Sequence, residues 1–150
     1  MEKHNYHVQV TWNSDRKGVL CSPELATDAS GRNCIEVATP PEFPKGIPGI
    51  WSPEHLFTAA ISSCFMTTFL AIADNSQLPF VHFNCASEGV LDEVDGKPEM
   101  TEIILRPVVT ISDEKHRDRA LRILQKSESA CLISRAVRAK ITAIPEIVVE

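Results

Sequence analysis

Apolar and polar side chains alternate over residues 4–13. Tyr6, Val8, Val10 and Trp12 share one face and His7, Gln9 and Thr11 the other, which predicts a half-buried strand. The turn residues Asn13-Ser-Asp-Arg-Lys-Gly18 follow, then a short strand over 19–22, a second turn over 28–33 and a third strand over 34–38. This opening reads as an antiparallel meander. The alternation then stops. Pro40, Pro41, Pro44, Pro48 and Pro53 exclude a helix interior or a central strand over 39–53. Phe43, Ile47, Ile50 and Trp51 nevertheless make this stretch apolar. Such a loop folds back in one of two ways, as a lid on the core or as the lining of a pocket for an apolar substrate.

A helix start comes next. Ser52 is a suitable N-cap, Pro53 suits the first helical position, and Glu54 complements the dipole of a helix that runs to about Asn75. Apolar residues surround it on nearly all sides, which predicts a buried central helix. A small domain does not cover such a helix completely, and this points to a dimer. Two alternating runs, 80–93 and 99–111, flank the hairpin signal Asp95-Gly96. Ser112-Asp-Glu opens an amphipathic helix whose inner stripe holds Ala120, Leu121, Ile123 and Leu124, with a break or bend at Ser127-Glu-Ser129. A short helix over 131–138 and a strand over 141–149 complete the pattern. Strand and helix runs without a regular βαβ rhythm predict an α+β fold with antiparallel pairing, in one domain over 1–150.

The length of 150 residues suits one domain, large enough to fold without a disulfide or metal staple. The formal net charge of −5 disfavours a nucleic-acid or anionic-membrane partner, because phosphates demand clustered Lys and Arg. Met1-Glu-Lys-His-Asn leads into no apolar signal region. The stretch over 56–73 comes nearest to a membrane span but is interrupted by Thr58, Ser62, Ser63, Thr67 and Thr68. The expected location is therefore cytoplasmic, with no membrane partner. Five cysteines, an odd number without CxxC spacing, speak against a disulfide framework and a zinc ribbon in that compartment. The histidines are scattered, and no metal or cofactor is expected.

Two cysteines stand in distinctive settings. Cys64 lies inside the long predicted helix, where a buried core thiol is the plain alternative to a reactive one. Cys131 follows Ser127-Glu-Ser129-Ala130 and precedes a helical pattern. Either it caps a helix N-terminus that lowers its pKa, or it belongs to the core. Cys21, Cys34 and Cys85 sit on or beside predicted strands and read as structural thiols.

The segment Trp51-Ser-Pro-Glu-His-Leu-Phe-Thr-Ala-Ala-Ile-Ser-Ser-Cys64 resembles the central-helix motif of the OsmC/Ohr family, the osmotically inducible and organic-hydroperoxide-resistance proteins. There a Pro-Glu dipeptide opens the helix and a cysteine follows ten residues after the glutamate. Ala130-Cys131-Leu-Ile-Ser134 resembles the family's second motif, with Leu132 in place of the common proline. The resemblance spans essentially the whole chain. It implies an intertwined homodimer with an active site at each end of its interface, in which Cys64 is the peroxidatic thiol and Cys131 the resolving one. It also implies a site arginine from the first turn, matched by Arg16 with Lys17 and Arg32 as substitutes, and a helix-opening glutamate, matched by Glu54.

The chemistry fits those residue types. The thiolate, not the thiol, attacks a peroxide bond, and a free thiol is only a few per cent ionised at neutral pH. Dipole help fades within the first helical turn, so Cys64 calls for a cation, with Arg16 the candidate and Glu54 its orienting partner. Ten residues of helix separate Glu54 from Cys64 by about 15 Å. The two cannot share one arginine on a straight helix, so Glu54 of each site is expected from the partner subunit. The apolar residues Phe43, Ile47, Ile50, Trp51, Phe65 and Met66 point to organic hydroperoxides as substrates. A dithiol, such as a lipoylated protein, is the implied reductant. The alternative is a non-enzymatic redox sensor or binding protein of the same fold.

Overall fold

Three short strands form the N-terminal part of the chain, β1 (Gln9–Ser14), β2 (Lys17–Cys21) and β3 (Cys34–Ala38), paired antiparallel in that order. The structure is a computed structural model that describes residues 1–25 and 33–150. Most of the predicted turn over 28–33, and Arg32, lie outside the described residues. The chain divides into two units, Met1–Leu56 and Phe57–Glu150.

In the first unit the antiparallel meander is as expected, but its first strand begins at Gln9 rather than at residue 4, and its apolar face is not half-buried. Tyr6, Val8, Val10 and Trp12 are all exposed. The unit has little to set against them, since its buried residues among those described are Gly18, Ala38, Pro40 and Ser52. A second departure concerns the cysteines. The β2–β3 register sets Cys21 opposite Cys34, with Cα atoms 4.4 Å apart, and the two form a disulfide rather than remaining inert thiols. An odd cysteine count gives no hint of this pairing; strand register creates it. The proline-rich segment returns along β3. Ala38 N–H donates to the Trp51 carbonyl at 2.8 Å, and Ile47 N–H donates to that of Thr39 at 2.9 Å.

Helix α1 (Pro53–Asn75) starts in the first unit and continues through the second. Ser52 caps it as predicted: its Oγ accepts the His55 N–H at 3.2 Å, and its carbonyl accepts that of Leu56. The expectation of burial on all sides is corrected. One stripe, Ile61, Phe65, Phe69 and Ala73, is buried, at the four-residue spacing of a single helix face. Over its most apolar 18-residue window the mean hydropathy is 1.8, so the helix is long and apolar enough to cross a membrane, contrary to expectation. Its hydroxyls do little to lower that average, and Ser63 and Thr67 bond back to carbonyls of the helix itself, Ser63 Oγ to that of Ala59 at 2.7 Å. The phenylalanines of the buried stripe pack against a sheet, with Phe69 stacked on Phe83 at 4.9 Å.

That sheet contains β4 (His82–Val94), β5 (Lys97–Ile111), β6 (Lys140–Ala143) and β7 (Glu146–Val149). Asp95 and Gly96 both adopt positive φ at the β4–β5 hairpin, the geometry of a tight turn that Gly favours. β5 is central and buries Ile103, Leu105, Val109 and Ile111 in alternation. It pairs antiparallel with β4 but parallel with both β6 and β7, so the sheet is mixed rather than wholly antiparallel. The predicted last strand splits at Ile144-Pro145 into these two pieces. Pro107 sits where β5 changes partner from β6 to β7, a place where a missing N–H is tolerated. Gly89 on β4 lets α1 lie close, since a Cβ there would meet Thr58 Oγ1 at 2.2 Å.

Helix α2 (Arg117–Ala130) buries Ala120, Ile123 and Leu124 as predicted. It runs without a break through 127–129, where the buried Ser127 Oγ donates back to the Ile123 carbonyl at 2.7 Å. The predicted helix over 131–138 is reduced to one 3-10 turn, Ser134–Ala136.

Candidate active site

Cys64 lies about three turns into α1, beside the buried stripe, and is half-buried. Thr68, one turn further on, brings its hydroxyl to 4.0 Å from the sulfur. Cys131 is fully buried where α2 ends, and its own backbone has already left the helix (φ −65°, ψ 114°). It caps a C-terminus, not the N-terminus expected, and the carbonyl end of a helix does not favour a thiolate. Beyond it the chain turns tightly, with Arg135 N–H donating to the Cys131 carbonyl at 3.3 Å. This turn brings the Cys131 thiol and the main-chain N–H groups of Leu132 and Ile133 within hydrogen-bonding reach of Cys64. The two sulfurs, 67 positions apart in sequence, are neighbours, and both are free thiols.

The neighbours ionise differently. Burial pushes Cys64 up, but hydrogen bonds from the Cys131 thiol, the Ile133 N–H, the Thr68 hydroxyl and the Leu132 N–H together outweigh it. The net pKa lies below the ordinary thiol value. Burial pushes Cys131 up, and its bond to Cys64 adds to this. Ser134, whose buried hydroxyl has no oxygen or nitrogen partner, faces Cys131 and offsets the rise only in part. The two thiols titrate as a pair, the one that keeps its proton donating to the thiolate beside it, and the directions favour the charge on Cys64. A position three turns into the helix leads one to expect a cation in this role. Every group that lowers Cys64 is instead a neutral donor.

Other predicted site residues are placed as follows. Arg16 occupies the exposed β1–β2 turn, where its carbonyl accepts the Thr39 N–H at 3.0 Å. Lys17 begins β2. Glu54 stands, half-buried, in the first turn of α1. Arg16 and Glu54 belong to the first unit, Cys64 and Cys131 to the second. Ile50 and Trp51 line a groove of about 270 Å³ with Gly49 and His55, and Trp51 meets the His55 ring edge-on at 6.1 Å. Phe43 and Ile47 are half-buried in the same loop. Phe65 is fully buried and stacks on Phe83, so it packs the core instead of meeting a substrate. Met66 opens onto a different groove, about 310 Å³, with Ser62, Ser63 and Cys85. Two helical positions from Cys64 is a rotation of roughly 200°, so Met66 does not share its face. Among the described residues no three His, Cys, Asp or Glu side chains are grouped to hold a metal.

Thr68, Ser134 and the two main-chain donors are site groups that the sequence reading missed. Thr68 was discoverable, since i,i+4 neighbours on a helix touch. The N–H groups at 132 and 133 leave no mark in side-chain pattern.

Residues 46–146 match the family described as OsmC-like protein. The uncharacterized protein YmaD of Bacillus subtilis is 26% identical over 94% of this chain and 91% of its own length. An OsmC-like protein of unknown function from Vibrio cholerae superposes with a TM-score of 0.79 at 21% identity, covering 95% of this chain and 99% of that one. An organic hydroperoxide resistance protein from Legionella pneumophila does so with a TM-score of 0.73 at 19% identity, covering 99% and 100%. For the organic hydroperoxide resistance protein OhrB of Bacillus subtilis the TM-score is 0.63 at 20% identity, covering 96% and 98%.

Proposed function

The chain belongs to the OsmC-like protein family, and from that premise we propose that it is a thiol peroxidase for organic hydroperoxides, with Cys64 the peroxidatic thiol and Cys131 the resolving one. The observation that carries this reading is the meeting of two free thiols 67 positions apart in sequence, Cys64 half-buried on α1 and Cys131 buried at the end of α2, with directions of pKa that favour the charge on Cys64. Such a pair supplies an attacking thiolate beside a protonated reserve.

The Cys64 thiolate attacks the terminal oxygen of the hydroperoxide and the O–O bond breaks. The alkoxide takes up a proton and leaves as an alcohol, with Cys64 as sulfenic acid. Cys131 then attacks the sulfenic sulfur, water leaves, and a disulfide forms. Two electrons and two protons from an external dithiol, such as a lipoylated protein, restore both thiols. The Leu132 and Ile133 N–H groups hold the thiolate before attack. Arg16, backed by Glu54 of the partner subunit, adds charge as the peroxide binds, because guanidinium can donate to sulfur and oxygen together. The apolar loop residues Phe43, Ile47, Ile50 and Trp51 favour an alkyl or aryl group over bare hydrogen peroxide. Solved relatives of the same fold that are organic hydroperoxide resistance proteins support that choice. The enzyme works as a cytoplasmic homodimer. The exposed apolar residues Met66 and Leu70 on α1, and Val10 and Trp12 on β1, support the dimer.

The test is consumption of cumene hydroperoxide with dihydrolipoamide. The wild type turns over and prefers it to hydrogen peroxide. Cys64→Ser is inactive, and Cys131→Ser stalls after one turnover. Equal rates for wild type and Cys64→Ser defeat the proposal.

A further inference from the structure

The chemistry above leaves one cysteine pair unused. The Cys21–Cys34 bridge joins the last paired rung of β2 and β3 and closes the base of the connection between them. Both residues are only half-buried, so neither is sealed in a core. Gln9 of β1 pairs with Cys21 on its other side. Three residues beyond Cys21, Glu24 accepts the main-chain N–H of His7 at 3.0 Å and also meets His7 Nδ1. These contacts, the main-chain bond foremost, hold the Glu24 carboxyl below its usual range. The bridge thus stands next to the contact that fastens the segment leading into β1. Beyond its strand ladders the sheet gains little restraint from burial, since β1 is almost wholly exposed and the unit's buried residues include no large apolar side chain among those described.

We propose that Cys21 and Cys34 are a second, reversible dithiol–disulfide centre, which external dithiols open and whose state sets how tightly the β1–β2–β3 sheet and its N-terminal segment are held. In the opening step a thiolate of the reductant attacks one bridge sulfur, the S–S bond breaks, and a mixed disulfide forms. The reductant's second thiolate attacks that mixed disulfide and leaves as a cyclic disulfide. Two electrons and two protons end on Cys21 and Cys34. An oxidised dithiol reverses the sequence. The strand ladder keeps the two residues opposite one another, so closure needs no rearrangement of the sheet. Opening releases a closed loop of 13 positions, which weakens this unit more than one with a large core. A disulfide that cycles is also the kind compatible with a reducing compartment.

The full-length protein equilibrated in mixtures of reduced and oxidised dithiothreitol tests this. Alkylation at each redox ratio, read by mass spectrometry at every cysteine, is paired with amide hydrogen exchange. Cys21 and Cys34 should become alkylated together while the protein stays folded, in wild type and in Cys64→Ser alike. Amide exchange over 9–21 should then accelerate about tenfold or more, with 103–111 unchanged. A bridge that opens only on global unfolding is a static staple and overturns the proposal. So does a pair alkylated at every ratio, or opening that leaves exchange over 9–21 unaltered.

Discussion

Leu132 is 68% exposed, yet its main-chain N–H is one of the groups that lower the Cys64 thiol. Where the related motif carries proline, this chain has a donor that proline lacks. Leu132→Pro should therefore slow alkylation of Cys64 at pH 7 by about tenfold, since a hydrogen bond to a charged group contributes roughly 1.5–3 kcal/mol. An unchanged rate means that this N–H does not hold the thiolate. Ionisation gives the expected pH profile. Cys64 has a lowered pKa and gains reactivity as pH rises, reaching its plateau before an ordinary thiol does, whereas Cys131 is alkylated only at higher pH. Cys131→Ala removes the strongest donor to Cys64 and should shift the Cys64 profile upward, as pH-dependent iodoacetamide kinetics would record. At this scale the two thiols were legible from their motifs, and their asymmetry was not. It depends on main-chain groups delivered by a turn whose shape no side-chain pattern encodes.

The elements whose ends are set by local capping or turn chemistry were legible, whereas alternation over 4–13 and the pattern over 131–138 overstated burial and length. Ser52 fixed the start of α1 through its own oxygen, and Asp95-Gly96 fixed the hairpin through positive φ. Ser52→Ala should cost about 1 kcal/mol and lower Tm by several degrees. Thermal unfolding followed by circular dichroism measures it, and no change would show that the cap is dispensable. Gly89→Val drives a branched side chain into Thr58 and should cost about 1–3 kcal/mol, read by the same melt. Errors arose where partners distant in sequence decide the outcome. β5 accepts parallel neighbours on one edge, Pro145 divides the last strand, and Ser127 bonds back along α2 where a break was expected. The burial of α1 was overestimated because apolar composition does not say which faces a single chain covers.

Across the whole molecule, exposed apolar surface on α1 and β1 is the feature a single chain leaves open. Sedimentation at micromolar concentration should give a dimer for the wild type. Leu70→Glu, at a residue 40% exposed, should shift it to monomer without loss of helix content. A dimer unaffected by that charge would place the interface elsewhere. The most direct test of the account is to treat reduced protein with one equivalent of cumene hydroperoxide and map its cysteines by mass spectrometry. The account predicts a Cys64–Cys131 disulfide within one turnover, and sulfenic acid at Cys64 when Cys131 is serine. Recovery of both thiols unmodified, with the hydroperoxide intact, would contradict it.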